Sequence, residues 1–487
     1  MRYEGAFRVR FRALLGPLPV VISAACSPAP ARVVRPPTPV NQDIAIAGAT
    51  LWDGTGRAPV ANAVTLVRGD RIVCAGSAGE CLIPKGARVV DAQGQYLIPG
   101  LIDSHVHLLF VVNGSVSEQL DTDLHDLLAQ GVTTVRDMGG NPAVLQARVR
   151  AMNAAPRVYS MQLVAGQRFF FNGSNAYRAT RTASGMGFHQ PPAMTMQWMG
   201  WTPLMYTKDV NPDSIVRVAQ AAGAMGLKLY AQLDSVSVRR LVDAAHRVGM
   251  PVWGHAWVQP ASVREQSTAG QDGVVHAAGL AGELYAAEDR DTLVNDGDLQ
   301  AATATAANPE AAHDPRILAA LDTMARRGTM FEPTLDATRR SVAGFDMRNR
   351  HVPSLQEEYV RAARGFGMEV TREAVKRGVR ISAGSDHVAI APPSERATLF
   401  SELQLYVDSI GLSPTAALLT ATRDAARAIG GEPGRQIGTI EPGHSADLVL
   451  LSKNPQADIR NLEAVEWVMR GGVLWRPGQL RSGIAMK

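Results

Sequence analysis

A short apolar run that ends in two histidines constrains this chain more than any other feature. Residues Leu97–Leu108 read LIPGLIDSHVHL and predict a buried strand entered through Pro99 and Gly100. Because side chains alternate between the two faces of a strand, His105 and His107 point to the same side. Two imidazoles side by side at the carboxyl end of a strand suit a divalent metal ion. A strand with two hydrogen-bonded structural histidines is the alternative.

The composition limits what the chain can be. Of its 487 residues, 46% are hydrophobic and 19% are charged, so the chain can bury a large core. Length alone suggests two or three domains, although a (β/α) barrel accommodates about 250 residues as one domain. The net charge is only +4, and the sequence has no basic run with interleaved aromatic residues. We therefore expect no nucleic-acid partner.

The amino-terminal residues are typical of an export signal followed by a tether. An arginine-rich start precedes the apolar run Ala13–Ala25, which is too short and too interrupted by proline for a membrane-spanning helix. Ser23 to Cys26 (SAAC) resemble a bacterial lipoprotein processing site. Residues 1–26 are thus predicted to be a lipoprotein-type signal peptide with Cys26 lipidated, and residues 27–41 a proline-rich tether. We expect an exported bacterial protein, periplasmic or anchored to the membrane only through this lipid.

Two cysteines remain beyond the signal. Cys74 and Cys81 flank AGSAGE, which is typical of a turn between two strands. In an oxidising compartment a hairpin disulfide is favoured, and two free thiols are the alternative.

Both ends of the remaining chain are rich in short β-like runs separated by turns. This pattern of short strands and turns covers residues 42–97 and occurs again in residues 433–487. Strands this short at regular spacing predict a small β-sandwich assembled from both chain ends. Trp52, Trp467 and Trp475 are then expected to lie in its core or on a sheet face.

Residues 98–432 alternate apolar β-like runs with helical patterns, which predicts an α/β fold of the TIM-like (β/α)8 type with its chemistry at the carboxyl ends of the strands. The stretch Arg339–Arg377 is long, charged and helical, and we expect it to cover the mouth of the barrel. The eight predicted strands are residues 101–108, 131–139, 156–164, 227–231, 252–256, 273–279, 329–335 and 379–386.

Six polar residues lie at or near the carboxyl ends of five of these strands. In a barrel they converge on one mouth. Taken singly, each has a structural explanation: a hydrogen-bonded core histidine, an ion-paired lysine or a helix-capping aspartate. Together they favour a metal centre. The six are His105, His107, Lys228, His255, His276 and Asp386.

Several motifs around these residues resemble the amidohydrolase superfamily over nearly the whole chain after the tether. They are PGLIDSHVH, KLYA, GHA, VVHAAG and AGSD at the strand ends, with TATRDAARAIG and PGHSADLVLL near the carboxyl terminus. The set is most similar to the secreted branch of prolidase-like and imidazolonepropionase-like metal-dependent hydrolases.

The resemblance implies a role for each of the six residues. His105, His107 and Asp386 would hold the more buried of two divalent metal ions, with zinc as the default. His255 and His276 would hold the second, and Lys228, carboxylated to N6-carboxylysine, would bridge the two. Charge supports the last assignment, because an ammonium facing two dications is repelled whereas a carbamate is anionic.

The expected chemistry is hydrolysis of an amide-type C–N bond in a small substrate, a dipeptide or an N-acyl amino acid. Two metals sharing a water lower its pKa so that hydroxide forms near neutrality. Asp386 would take the proton of that hydroxide and pass it to the leaving nitrogen. Two alternatives stay open: a mononuclear hydrolase of a cyclic amide or lactone, and a non-catalytic surface-binding lipoprotein.

Three further residues are candidates for substrate contact. Tyr230 shares the strand face of Lys228, Arg168 lies beside three phenylalanines in GQRFFFNG, and His387 follows Asp386. The alternative role of the phenylalanines is to pack their own loop. The alternatives for His387 are to support the metal ligands from behind or to lie on the surface. His246 is interpreted as structural, and no role is assigned to the histidines at 125, 189, 313, 351 and 444. A homo-oligomer is compatible with the sequence.

Overall fold

A computed structural model describes residues 42–108, 111–112, 115–116, 119–152, 154–166, 203–290, 307–337, 354–388 and 398–482. All of them belong to one compact unit that begins at Pro37. The predicted signal peptide and tether, Cys26 and Arg168 lie outside the described residues.

The strands, in chain order, are β1 Ile44–Leu51, β2 Val60–Arg68, β3 Arg71–Ser77, β4 Arg88–Asp91, β5 Tyr96–Pro99, β6 Leu101–His107, β7 Val111–Val112, β8 Ser115–Val116, β9 Val132–Asp137, β10 Arg157–Gly166, β11 Leu204–Tyr206, β12 Gly226–Leu229, β13 Val252–His255, β14 Gly273–Val275, β15 Met330–Glu332, β16 His387–Val388, β17 Leu448–Leu451, β18 Val465–Arg470 and β19 Val473–Trp475.

The α-helices are α1 Gln119–Ala129, α2 Pro142–Ala151, α3 Pro212–Ala221, α4 Ser235–His246, α5 Val263–Thr268, α6 Ala287–Arg290, α7 Pro315–Arg327, α8 Ser354–Lys376, α9 Leu399–Leu405, α10 Pro414–Thr420, α11 Arg423–Ile429, α12 Gly431–Gly434 and α13 Pro477–Arg481. Short 3₁₀ helices span Ala277–Leu284, Pro309–His313 and Ile459–Glu463, and a π-helical turn spans Tyr406–Ile410.

Both ends of the described chain contribute strands to one eight-stranded sheet, as the short β-like runs at both ends of the sequence predict. Its order is β19-β18-β17-β5-β1-β2-β3, with β4 beside β1. The two ends meet where β17 pairs antiparallel with β5, with Leu448 opposite Pro99. The structure describes this unit as a single sheet, and its predicted sandwich packing stays a prediction.

The tryptophans and cysteines of this unit lie where the sequence places them. Trp52 is only 2% exposed. Trp467 and Trp475 pack, half-buried, against clusters of sheet residues. Cys74 and Cys81 are joined by a disulfide.

The second large sheet carries the residues of the predicted metal centre. Its strands run in the order β15-β14-β13-β12-β10-β9-β6-β16, with β11 beside β10, and every pairing is parallel. Helices precede or follow most strands, so this is an α/β fold with a curled parallel sheet. Because the strands are parallel, their carboxyl ends lie at one edge.

The last predicted strand, residues 379–386, is not a continuous strand. Only a single bridge links Ile381 to Phe331 of β15. The segment nevertheless hydrogen-bonds to both edges of the sheet: the Ser382 amide donates to the Phe331 carbonyl at 3.0 Å, and the Asp386 amide donates to the His105 carbonyl at 2.8 Å. Asp386, the last residue of the run, has a left-handed φ of 55°. The strand β16 begins at the next residue.

Two other predicted strands are shorter than expected. The run 273–279 is a strand only to Val275, since His276 has φ 69° and a 3₁₀ helix follows. The run 329–335 ends at Glu332, because Pro333 cannot donate a ladder hydrogen bond and Thr334 has φ 51°.

The long charged stretch before the last segment is helical, as predicted, over α8. Residues 339–353 lie outside the described residues, so its covering of the barrel mouth stays a prediction. None of the described helices combines the length and the apolar character needed to cross a bilayer.

Candidate metal centre

Three of the six predicted ligands form a compact cluster at the end of β6. The Asp386 Oδ1 atom lies 3.4 Å from His105 Nε2 and 3.3 Å from His107 Nε2. One donor atom from each of these three residues lies within 4.8 Å of the other two. The alternation of side chains in the strand therefore brings both imidazoles onto one carboxylate, as the H-x-H spacing predicts.

The remaining histidines adjoin this cluster. The His276 ring lies 4.9 Å from the His105 ring, and its Nδ1 lies 3.9 Å from Asp386 Oδ2. The His255 ring is 4.7 Å from the His276 ring. The ends of β6, β13 and β14 and the segment before β16 thus contribute to one site.

Lys228 lies on β12, beside β13, and is almost completely buried at 1% exposure. Its Nζ has no hydrogen-bond partner among the described residues. Burial lowers the pKa of this amine to about 7, although Glu332 and Asp386 favour the charged form. Near neutral pH a substantial fraction of this amine is therefore unprotonated and can react as a nucleophile with carbon dioxide, as the predicted carbamate requires.

The protonation states of the cluster favour a cation. Burial lowers the pKa of His105 to about 4 and holds the pKa values of His255 and His276 well below their ordinary range. Burial would raise the pKa of Asp386, but the neighbouring imidazoles of His105, His107 and His276 lower it below its ordinary value. Neutral imidazoles around an ionised carboxylate are the state that binds metal.

The residues fit a divalent cation. The His105 Nε2 atom is buried and makes no hydrogen bond within the described structure, while its Nδ1 is engaged elsewhere. The lone pair of this nitrogen faces a carboxylate and a second imidazole, and a buried amine lies nearby. Without a cation this arrangement is unfavourable, because the buried lone pair has no donor to bind. The donor set is of the nitrogen and oxygen type that zinc and similar ions prefer.

Sequence reasoning missed Glu332, which orients His105. This carboxylate is fully buried at the end of β15. Its Oε1 accepts from His105 Nδ1 at 2.9 Å, and its Oε2 accepts from Arg136 at 2.9 Å and from the Ser382 hydroxyl at 3.0 Å. The contact places the proton of His105 on Nδ1 and leaves Nε2 free to bind a metal. The available signal was a charged residue inside the apolar run TMFEPTL.

Arg136, also missed, neutralises Glu332 from β9. Its guanidinium is fully buried and donates to the carbonyls of Ser104 at 2.8 Å and Ala428 at 2.7 Å. It also lies 3.8 Å from the centroid of the Trp253 ring. These contacts fix the orientation of the guanidinium, which in turn positions the Glu332 carboxylate that accepts from His105.

Thr334 orients His276, as Glu332 orients His105. Its hydroxyl donates to the Pro333 carbonyl at 2.8 Å and lies 2.8 Å from His276 Nδ1. Because a hydroxyl has one hydrogen to donate, its oxygen must accept from Nδ1–H. The Nε2 atom of His276 then carries the lone pair.

The remaining candidate residues differ in their distance from the cluster. The Tyr230 ring lies 4.3 Å from the His255 ring, next to the cluster, and His387 is 6% exposed on β16 beside Asp386. His246 bonds Asp272 at 2.8 Å, away from the strands' carboxyl ends. Of the histidines given no role, 313 contacts Glu369 and Glu373, 444 contacts Thr439, 125 lies on α1, and 189 and 351 lie outside the described residues.

Comparison with known proteins identifies the family. The model of the amidohydrolase family matches residues 96–474. The chain belongs to the amidohydrolase family. It is therefore an amidohydrolase-type hydrolase with a candidate metal site, related to imidazolonepropionases and sharing the fold of prolidases.

Individual relatives of this amidohydrolase differ in what they act on. Imidazolonepropionase from Acidiphilium cryptum is 25% identical over 407 residues, 82% of this chain and 89% of that protein. N-acyl-D-aspartate deacylase from Alcaligenes xylosoxydans xylosoxydans is 46% identical over 69 residues, but the match spans only 13% of that protein. A solved Xaa-Pro dipeptidase with bound methionine in its active site superposes with a TM-score of 0.64, at 21% identity, over 89% of this chain and 100% of that one.

Proposed function

We propose that this amidohydrolase cleaves the amide-type C–N bond of dipeptides or N-acyl amino acids. One observation carries the proposal: five of the six predicted ligands adjoin in one cluster around Asp386, and the sixth, Lys228, offers a buried amine without a hydrogen-bond partner among the described residues. A bridging carbamate needs such an amine, and a mononuclear site does not. The curled sheet, in this proposal, closes into the eight-stranded barrel. The hydrogen bonds from residues 382–386 to both β15 and β6 support that closure.

In the proposed holoenzyme, His105, His107 and Asp386 would hold one divalent ion, His255 and His276 would hold a second, and carboxylated Lys228 would be a further ligand. Bound there, the ions would supply Lewis acidity at the scissile carbonyl and acidify water. Zinc is the default choice.

The protein's own residues then handle the proton and the substrate. The pKa of Asp386 lies below its ordinary value, so its carboxylate is ionised and can accept a proton from the attacking water and return it to the leaving nitrogen. Tyr230 projects beside His255, where its hydroxyl can donate to the substrate carbonyl oxygen. Glu332 and Thr334 keep His105 and His276 in the tautomers described above.

A second candidate is hydrolysis of a cyclic amide. It is favoured by the imidazolonepropionase relative, whose match covers 82% of this chain. The two candidates differ in their need for Lys228, because only a two-metal site requires a bridging carbamate.

The experiment is a substrate screen with protein reconstituted in zinc and bicarbonate. Pooled dipeptides, including Xaa-Pro, N-acyl amino acids and imidazolonepropionate are offered, and products are followed by mass spectrometry. We expect amino-acid release, lost by at least about 100-fold in Asp386→Asn and Lys228→Ala. His246→Gln, which changes a histidine outside the cluster, serves as the control and should match the wild type. Cleavage of imidazolonepropionate alone, at full rate in Lys228→Ala, would establish the second candidate instead.

We also propose that the protein is exported and lipidated at Cys26. Intact-mass analysis of the membrane fraction should show a diacylated mature terminus at Cys26. In Cys26→Ser the protein should leave the membrane fraction, and an unprocessed amino terminus in the wild type would contradict the proposal.

A further inference from the structure

A second concave site lies at the opposite edge of the parallel sheet. This basal cleft, about 660 Å³ in volume, is formed where the amino ends of β13, β14 and β15 begin. Met250 and Pro251 precede β13, Asp272 precedes β14, and Thr329 precedes β15. Of the candidate metal ligands, His255 and His276 lie at the opposite, carboxyl ends of β13 and β14, so the basal cleft is a separate site.

Three arginines line the basal cleft: Arg327 at the end of α7, Arg380 before the Ile381 bridge, and Arg427 on α11. Within the described part of the chain, neither the Arg327 nor the Arg380 guanidinium makes a hydrogen bond or ion pair. Arg427 is paired with Asp424, its Nη1 lying 2.5 Å from Oδ1. The cleft thus presents two cations that no described carboxylate neutralises.

The acidic group in the basal cleft is already engaged. Asp272 accepts from His246 at 2.8 Å and from the Val252 amide at 2.7 Å. Asp272 keeps its negative charge, but three arginines line the cleft against this one carboxylate, so positive charge prevails at the cleft surface.

The rest of the lining is mixed. It includes glycines, Pro251 and the polar residues Gln271 and Thr329. Met250, Trp253 and Met330 also line the cleft but are at most 6% exposed. The cleft volume falls within the range of about 300–1,000 Å³ typical of small-molecule sites, and is larger than a bare inorganic ion requires.

We propose that the basal cleft binds a small organic oxyanion, with its phosphate or carboxylate group on Arg327 and Arg380 and its organic body against Pro251 and the glycines of the lining. A guanidinium presents a planar pair of donors that matches two oxygens of either group, and two unpaired guanidiniums favour an anion with more than one oxygen edge. This inference is independent of the hydrolytic function proposed above.

The test is calorimetric titration of the full-length, zinc-loaded protein with phenyl phosphate, which joins an aromatic ring to a phosphate group. We expect the Kd to rise at least about tenfold in R327Q/R380Q, since two charge-assisted contacts are lost. The charge-matched pair is R327Q and R326Q, each of which removes one positive charge. R327Q should weaken binding, whereas R326Q, whose residue does not line the cleft, should leave the Kd within about twofold. Titration with benzoate, which carries a carboxylate on the same ring, tests whether the cleft prefers carboxylate or phosphate. Titration with inorganic phosphate, which has no ring, measures how much the ring contributes to affinity.

Three results would overturn the proposal. The first is that none of these anions binds the wild type measurably. The second is an unchanged Kd in R327Q/R380Q, which would place the anion at the metal centre or elsewhere. The third is an equal loss of affinity in R326Q, which would indicate a general charge effect. Thermal unfolding of each variant verifies that the fold is retained.

Discussion

Glu332 is the residue on which the geometry of His105 depends. It is fully buried, and its two oxygens are divided between His105 on one side and Arg136 and Ser382 on the other. Arg136 and the neighbouring His105 lower the pKa of Glu332 against the effect of burial, so the carboxylate stays ionised. A buried ion pair of this kind holds a metal-binding imidazole in one orientation.

We predict that Glu332→Gln lowers both stability and metal affinity. The substitution leaves the Arg136 guanidinium buried without a counterion, which costs about 3–5 kcal/mol of unfolding free energy. Zinc affinity should fall about 10–100-fold, because His105 loses its charged partner. Denaturant unfolding and zinc titration measure the two effects. Glu283→Gln removes a buried carboxylate that accepts from the Arg264 amide, and should leave zinc affinity unchanged.

At the residue scale, the sequence predicts ligands but not the residues that support them. The six candidate ligands end apolar runs, so strand periodicity and position suffice to find them. Arg136 and Glu332 lie inside apolar runs on β9 and β15, strands that are far apart in the sheet order. Their contact across the interior depends on the curvature of the sheet, which periodicity does not encode.

At the scale of elements, the strand ends are where prediction and structure differ. The sequence correctly indicates β6, β9, β10, β12 and β13 to within two residues, but it misses the short β11. The runs 273–279 and 329–335 stop early where His276 and Thr334 adopt positive φ, and the run 379–386, which ends at the positive φ of Asp386, forms only the bridge at Ile381. Non-glycine residues in this conformation cost energy and concentrate at functional sites. Hydrophobic patterning cannot show them, since the flanking residues remain apolar.

Gly384 sets the spacing between the last segment and β6. A Cβ atom added there would lie 2.5 Å from the His105 Cβ and 2.8 Å from the Glu332 Cδ. We therefore predict that Gly384→Ala displaces both side chains and weakens zinc binding by at least about tenfold. Zinc titration measures the effect. Gly478→Ala, in α13 and with open space around the added methyl group, is the control. Wild-type zinc affinity in Gly384→Ala would contradict this account of the spacing.

Glu402 on α9 ties the chain after β15 to the core. Its carboxyl accepts from the amides of Leu335 at 2.9 Å and Asp336 at 2.7 Å. Burial raises the pKa of Glu402 to about 8, against these hydrogen bonds. Because this pKa exceeds the ordinary value of 4.5, the stability that Glu402 contributes is full below about pH 4.5 and is lost as the pH rises through about 8.

We predict that this loss is visible as a difference between the wild type and Glu402→Gln, which cannot ionise. From about pH 5 to 8 the unfolding free energy of the wild type should fall relative to that of the variant by roughly 1.4 kcal/mol per pH unit. Denaturant unfolding at several pH values measures it. Parallel curves for the two proteins would show that Glu402 titrates normally.

At the scale of the whole molecule, the centre links parts of the chain that are distant in sequence. His105 follows the sheet built from both chain ends, while Asp386 lies 281 residues further on (386 − 105). Family motifs predicted this convergence, and the parallel sheet provides it by bringing carboxyl ends to one edge. Bound cations would therefore join the first and last segments of the sheet and stabilise the folded state.

The most direct test of the central claim is the number of zinc ions held by the wild type and by Lys228→Ala. Both proteins are reconstituted in zinc and bicarbonate, dialysed and measured by inductively coupled plasma mass spectrometry. A site bridged by carboxylated Lys228 predicts about two ions per chain in the wild type and at most about one in the variant. One ion per chain in both proteins, or two in both, would contradict the bridging role of Lys228.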